Sequence, residues 1–299
     1  MNPFPQRTTT LVMLLAAFTS WGLRPADAQI LKEFGNEVHG SPAASPSGSP
    51  PPASPPTSSV AATKRGPLHT EYDDDDSTED VLGELALIAG AAAVSAPFLV
   101  PRAILKDEGQ SAVYPDYPYD HDGTIAAVCY DETIPGTHHS LIVLQAAYGS
   151  NLDDINQFQG RIFGDLDLRL GFDTETSYFT ENVPTGTDEF WRGDANLTWR
   201  FAQNERWQFR AGIGVNWVND RRGTEAGING TYNIEWFPKD PWVLSSSLDA
   251  GSVGSSGLLH TRNTVGLTHN GWGVFTGHDY LKLDSTSLQT WISGIEYRF

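Results

Sequence analysis

The sequence predicts an all-β protein: an antiparallel, up-and-down membrane β-barrel of about 8 to 10 strands over 124–299, preceded by a disordered N-terminal segment and a short apolar helix. Three observations predict it. From about residue 139 onward, apolar and polar residues alternate with period two, and turn residues separate the repeats. The apolar face of Trp207 to Trp217 begins and ends on tryptophan, and its neighbour repeats the design from Trp191 through Trp199 to Phe201. The N-terminus carries the pattern of an export signal.

That export pattern occupies 1–28. Arg7 supplies a positive charge, 11–23 is largely apolar, and Ala26-Asp27-Ala28 places small residues where signal peptidase inspects them, so cleavage is expected after Ala28. Residues 29–80 read as a disordered periplasmic linker. Within it, 40–59 is almost entirely Pro, Ser, Ala and Gly, which cannot bury enough apolar surface to offset the entropy of ordering. Seven of the ten residues in 71–80 are acidic, but without the spacing and turn glycine of a calcium loop, so they read as a solvated, self-repelling run.

Residues 81–123 are expected to form an apolar helix and an extended lead-in. Val81 to Val100 has Glu84 as its only charge, and Pro97 is expected to break its last turn. Its small residues make it only weakly hydrophobic, which favours a helix lying at the barrel mouth or the membrane interface over one that spans. Tyr114 to Asp122 follows as a proline-punctuated extended stretch. Its Asp120, His121 and Asp122 suit turn chemistry better than metal ligation, because three adjacent residues do not converge easily on one ion.

In the barrel proper, Trp207, Phe209, Ala211, Ile213, Val215 and Trp217 alternate with Gln208, Arg210, Gly212, Gly214 and Asn216. Ten residues at about 3.3 Å each, tilted by about 40°, span roughly 25 Å, the height of an outer-membrane apolar band. The girdle aromatics are therefore Trp191, Trp199, Trp207, Trp217, Trp236 and Trp291. The alternate positions, expected to face a polar, side-chain-filled lumen, include Asp165, Asp167, Arg169, Arg192, Asp194, Arg200, Arg210, Glu235, Asp249, Arg262, Glu296 and Arg298. Nine segments alternate, near 140–150, 161–180, 189–202, 206–219, 224–237, 241–253, 257–268, 272–282 and 286–299. Bacterial single-chain barrels have even numbers. Either 124–130 is a further first strand, giving ten, or a weak segment such as Gly273 to Leu281 does not span, giving eight; ten is slightly favoured.

Trp291, Ser293, Ile295, Tyr297 and Phe299 share one face of the last segment. This resembles the C-terminal assembly signal of bacterial outer-membrane β-barrel proteins, in which a terminal aromatic is recognised by the barrel-assembly machinery. The whole chain resembles secreted bacterial proteins with a proline-rich leader ahead of a C-terminal barrel. The resemblance implies Tyr297 and Phe299 as the assembly signal, the outer membrane as the location, and a periplasmic C-terminus. Turns near 202–205, 238–241 and 268–271 then face the periplasm, and the loops 180–188, 219–224 and 253–257, expected to be longer, face outward.

Composition narrows the function classes. A formal net charge of −18 with no Lys/Arg cluster excludes nucleic acid as a partner. The lone Cys129 permits no internal disulfide and has no second cysteine at metal-ligand spacing, so it reads as a small apolar side chain. A structural or surface-interaction barrel leads; a narrow pore, an outer-membrane hydrolase or acyltransferase, and a soluble ligand-binding barrel are the alternatives. For catalysis, His278 and Asp279 point to opposite faces, Asp188 and Glu189 follow the longest outer loop, no nucleophile elbow is present, and His260 beside Arg262 reads as a lumen hydrogen-bonding residue. No catalytic residue, metal site or cofactor is expected. The expected partners are outer-membrane lipid, the barrel-assembly machinery during biogenesis, and a cell-wall or surface component.

Overall fold

A computed structural model describes residues 29–39, 95–119, 127–131, 133, 135–184 and 186–299. Helix α1 (Ile30–His39) and a second helix, α2 (95–105), precede two short paired strands, β1 (Tyr114–Pro115) and β2 (Thr137–His138). Ten strands follow: β3 (Ser140–Ser150), β4 (Ile155–Leu166), β5 (Leu170–Val183), β6 (Gly186–Gln203), β7 (Trp207–Asp220), β8 (Gly223–Lys239), β9 (Trp242–Val253), β10 (Ser256–His269), β11 (Trp272–Leu283) and β12 (Thr286–Arg298). Each pairs antiparallel with its neighbours in sequence, and β12 returns to β3, closing the barrel. Phe299 completes the seam by exchanging backbone hydrogen bonds with Ile142 at 2.8 and 3.0 Å.

The fold is all-β and up-and-down, with ten strands, but the tenth is not the one expected. Residues 127–130 lie outside the barrel, where Cys129 bridges to Val113, and the barrel starts at Ser140 rather than near 124. The missing strand was hidden inside 161–180, which is two strands, β4 and β5, joined by Asp167, Leu168 and Arg169. A three-residue connection preserves parity. Ile162, Leu166, Leu168, Leu170 and Phe172 all remain on the exposed face, so the alternation runs through the turn without a break. Arg169 makes the turn possible by adopting a left-handed φ of 69°, as the last residue of such loops commonly does. Gly273 to Leu281, the weakest segment on sequence, is fully paired within β11.

The expected difference in loop length is also absent. At the end opposite the C-terminus, the connections after β7, β9 and β11 are two residues each, as short as those after β8 and β10. Residues that read as loops extend the hairpins instead: Glu181 pairs with Asp188, and Asn219 with Thr224.

The linker expectation fails for its first residues, since 30–39 is helical. Leu31, Phe34 and Val38 recur at helical spacing, Glu33 lies in the first turn and His39 in the last, which suits the helix dipole. Those three side chains are buried among Ile155, Phe179, Phe190, Val218, Val253, Leu258, Leu281, Leu283 and Leu288, the inward residues at one end of the strands. Polar contacts hold α1 in place: Glu181 accepts the backbone N–H groups of Ile30 and Leu31, both at 2.9 Å, and Glu37 accepts those of Ser285 and Thr286 at 3.1 and 3.0 Å. Helix α2 sits on the outer wall toward the other end, with Phe98 against Phe201 and Tyr232. It continues through Pro97 to residue 105, so Pro97 does not end it. A proline removes only one intrahelical donor, and Phe98 and Leu105 gain apolar contact with the wall. The rest of the expected helix, 81–94, and Asp120, His121 and Asp122 lie outside the described residues, as do the leader, the proline-rich stretch and the acidic run.

Because Phe34 fills the centre of an apolar mouth and stacks on Phe190 at 5.5 Å, Phe34→Ala should weaken the seating of α1 by about 3 kcal/mol or more. Limited proteolysis should then cut within 30–39 far faster in the variant than in the parent protein. Equal cleavage rates would show that α1 is held by its polar contacts alone.

Candidate functional site

The barrel has two chemically opposite surfaces, and strand parity sorts the side chains between them. On the outside, Ile213 is 75 % and Leu197 65 % exposed; one position along β6, on the inside, Thr198 is 2 % exposed. Aromatic residues collect at two levels of the outer wall. Tyr148, Phe158, Tyr178 and Trp191 are successive cross-strand partners from β3 to β6, with Trp217 and Trp291 on the flanking strands. The Tyr178 and Trp191 rings lie 4.5 Å apart. Toward the C-terminal end, Trp207 stacks on Trp236 at 4.9 Å and Trp272 meets Tyr297 at 4.7 Å, with Trp199 close by on β6 and Trp242 on β9. All six tryptophans singled out on sequence thus point outward. One glycine is required here: a Cβ at Gly193 would collide with the Trp217 indole.

Inside, one continuous polar network runs through the barrel. Arg210 donates to Asp165 Oδ2 at 2.6 Å and to Glu235 Oε2 at 2.7 Å, and Arg200 approaches Asp165 at 3.5 Å. Arg298 donates to the other Glu235 oxygen at 2.9 Å and to Glu296 at 3.1 Å. Gln145 carries the chain onward, donating to Glu296 at 2.9 Å and accepting from Arg262 at 3.0 Å. Arg262 lies 3.6 Å from Glu175, which also accepts from Arg192 at 3.1 Å, and Arg192 reaches Asp194 at 3.1 Å. Beside this chain, Arg161 and Asp173 form a separate buried pair. Among the described residues every fully buried base other than His260 is an arginine, the side chain whose planar fork can serve two carboxylates at once.

Of the residues expected in the lumen, Asp165, Arg192, Asp194, Arg200, Arg210, Glu235, Arg262 and Glu296 are in this network, with Asp249 and Arg298. Two are not. Asp167 lies in the β4–β5 turn, partly exposed, where it meets His139 at 2.8 Å. Arg169 is buried but faces the mouth, forming a two-pronged pair with Asp107 at 2.6 and 2.7 Å. His278 packs outward against Trp291 while Asp279 points in, as strand alternation requires. Asp188 lies beside the β5–β6 turn, at the end opposite the C-terminus, 3.4 Å from the exposed Arg221.

Both mouths are stoppered. At one end sits α1. At the other, Tyr114 and Val128 pack on Leu141, Val143 and Phe163, and Tyr119 and Ala127 on Phe237 and Val243. Arg200 lies 4.9 Å above the Tyr114 ring, tying this second stopper to the charged network. Between Arg161, Asp173, Arg210 and Glu235 only about 10 Å³ is open, room for a single water. These apolar lumen positions escaped the sequence reading, although a signal was present. Phe179, Phe190, Val218, Leu281 and Leu283 occupy inward parity at one end, which makes sense only if an apolar group fills that mouth.

Two outcomes follow. Arg210→Ala leaves Asp165 with only the more distant Arg200 and takes one of two arginine partners from Glu235, and should cost about 3 kcal/mol or more in urea unfolding of the detergent-folded barrel. Arg221→Ala breaks an exposed pair and should cost about 1 kcal/mol or less. Similar losses for both would mean that the lumen is hydrated. Burial pushes the Asp107 carboxyl up, but hydrogen bonds from Arg169 and from the Gly109 and Gln203 N–H groups outweigh this and hold it below its ordinary value of 3.8. Its contribution is therefore complete above about pH 4 and lost as the pH falls below that, so proteolysis of the 107–119 stopper should accelerate on acidification. In Asp107→Asn the rate should be raised at neutral pH and insensitive to acid.

No family model matches the chain, and no curated protein does. Among solved structures, it is similar to the N-terminal β-barrel domain of Pseudomonas aeruginosa OprF, at 8 % identity and a TM-score of 0.28 over 54 % of this chain and 98 % of that one. It is similar to the Yersinia pestis outer membrane protein Ail in a phospholipid bilayer nanodisc, at 14 % identity and a TM-score of 0.31, again over 54 % and 98 %. It is similar as well to Neisserial surface protein A, at 14 % identity and a TM-score of 0.29 over 54 % and 98 %. Likeness of this degree says nothing of what the chain does; its own two surfaces have to supply that.

Proposed function

We propose that this chain is a bacterial outer-membrane barrel with a structural or surface-interaction role, whose lumen is a filled, load-sharing core and not a path for solutes. The observation that carries the reading is the inverted barrel: an apolar, aromatic-bounded outer wall around a buried network of arginines and carboxylates. A soluble barrel requires the reverse sorting, and only hydrocarbon makes exposed Leu197, Ile213 and Ile228 favourable over most of the wall. The outward, exposed Tyr297 and Phe299 suit a role as the assembly signal. Export with cleavage after Ala28 agrees with α1, whose first helical residue is Ile30. Helix α2 presents Leu99, Val100 and Ile104 to its surroundings, as an interfacial helix in contact with lipid would.

The stoppers at both mouths and the narrow interior favour a non-conducting barrel over a pore. His260 is enclosed in the lumen, out of reach of a substrate, which favours a non-enzymatic role. With the interior filled, the surfaces left for a cell-wall or surface component are the ends, above all the β5–β6 and β7–β8 hairpins that extend past the Tyr178–Trp191 level.

The test uses the full chain recovered from outer membranes. On a gel, the unboiled protein should migrate differently from the boiled one, and in planar bilayers it should give no conductance steps above baseline. Deleting Phe299 should abolish assembly in cells. Regular conductance steps would establish the pore instead. Partition into the aqueous phase without a heat-dependent shift would establish a soluble barrel.

A further inference from the structure

The buried charges do not balance everywhere. Arg161 matches Asp173, and Arg169 matches Asp107. Arg200, Arg210 and Arg298 match Asp165, Glu235 and Glu296, while Glu181 is satisfied by the N-terminus of α1. What remains is one cluster in which Glu175, Asp194, Asp249 and Asp279 have only Arg192, Arg262 and the imidazole of His260 as basic partners within 4.0 Å, while Arg161, already paired with Asp173, lies further off. With a neutral imidazole, the four carboxylates exceed the two guanidiniums by two negative charges. An uncompensated charge of that size is expensive inside a stoppered lumen.

The imbalance falls where three ligand types converge. His260 Nε2 lies 3.1 Å from Asp279 Oδ2 and 3.8 Å from Glu175 Oε1, and one ligand atom from each of the three residues lies within 4.8 Å of the others. A tetrahedral ion with bonds of about 2.0–2.2 Å holds its ligand atoms roughly 3.3–3.6 Å apart, and the two separations from Nε2, 3.1 and 3.8 Å, lie on either side of that spacing. The other ring nitrogen, Nδ1, is 3.0 Å from Asp249 Oδ2. A carboxylate there fixes the tautomer that turns the Nε2 lone pair toward an ion, the usual support for a metal-bound histidine.

A further group points the same way. Gln159 is 6 % exposed, and its Oε1 has no hydrogen-bond partner, while its amide nitrogen lies 3.3 Å from Asp279 Oδ2. Half a turn of the carboxamide would bring the unpartnered oxygen to the side of the same three ligands, as a fourth donor.

We propose that Glu175, His260 and Asp279 form a buried site for a divalent transition-metal ion of the zinc class, with Gln159 as the adjacent fourth donor and Asp249 positioning the histidine. One such ion cancels the two excess charges. The three ligands come from β5 and from the adjacent strands β10 and β11, so the ion ties β5 to that pair across the lumen. It enters as the barrel closes. The inference rests on the lumen alone and does not depend on which membrane, if any, the outer wall meets.

The test is metal content of the untagged full chain. The protein is refolded from urea into detergent micelles with ZnCl2, or with EDTA in its place; the zinc-refolded sample is then washed with EDTA to strip surface histidines, and zinc is measured by mass spectrometry. The parent barrel should retain about one zinc per chain, H260A and D279N at least tenfold less, and the zinc-refolded parent should unfold at a higher temperature than the EDTA-refolded one. If the variants fail to fold, the parent protein still decides: an X-ray absorption edge for the retained zinc with only nitrogen and oxygen neighbours supports the site. A folded parent barrel that retains no zinc and unfolds at the same temperature either way overturns it, and so does zinc retained equally by H260A. In either case His260 would be an imidazolium held between Asp249 and Asp279.

Discussion

Closure is the constraint on which the rest of this structure depends. If the outer wall of Leu197, Ile213 and Ile228 meets lipid, as proposed, it leaves no place for a free sheet edge, because unpaired N–H and C=O groups in an apolar medium cost several kcal/mol each. The β12–β3 seam removes that edge, and with Phe299 paired to Ile142 it runs to the last residue of the chain. Once the sheet is closed, strand alternation delivers every second side chain to a space that water does not fill. Charged residues placed there have only each other. The chain of contacts from Arg200 through Arg210 and Arg298 to Arg262 and Arg192 follows from that confinement, with guanidiniums bridging carboxylates on different strands.

The same confinement explains the ends. Toward each mouth the inward positions change from charged to apolar, Phe179 and Phe190 at one end and Leu141, Val143 and Phe163 at the other. A ring of inward apolar groups around an open channel would be wetted at a cost, so each ring is covered by chain from the N-terminal side: α1 at one end, and Ala112, Tyr114, Tyr119, Ala127 and Val128 at the other. Charge in the middle and apolar stoppers at the ends make a rigid, filled cylinder.

Much of the fold was legible in the sequence because alternation is a local signal. Trp207 to Trp217 announced both faces of the wall and both of its aromatic levels in eleven residues. The β4–β5 boundary was not legible for a physical reason: a three-residue turn keeps parity, so Leu166, Leu168 and Leu170 continue one apolar face through a reversal of direction. Helix α1 was obscured because ten amphipathic residues beside a proline-rich run carry little helical signal of their own; the partner that stabilises them, the ring around Phe190, is more than a hundred residues away. The cluster of Glu175, His260 and Asp279 was illegible for a related reason. Strand parity places each of the three in the lumen, but only closure of the barrel decides which of the inward residues meet across it.

The central claim is the sidedness of the wall, and spin labels test it most directly. Single cysteines at Ile213, Val215 and Ile228, in a Cys129→Ser background and in lipid bilayers, should give labels accessible to oxygen and shielded from a water-soluble nickel complex. Labels at Asn270, in the β10–β11 turn, and at Arg221, in the β7–β8 turn, should show the reverse balance, marking the two aqueous sides. High nickel accessibility at Ile213, equal to that at Arg221, would contradict the account, because the apolar wall would then face water.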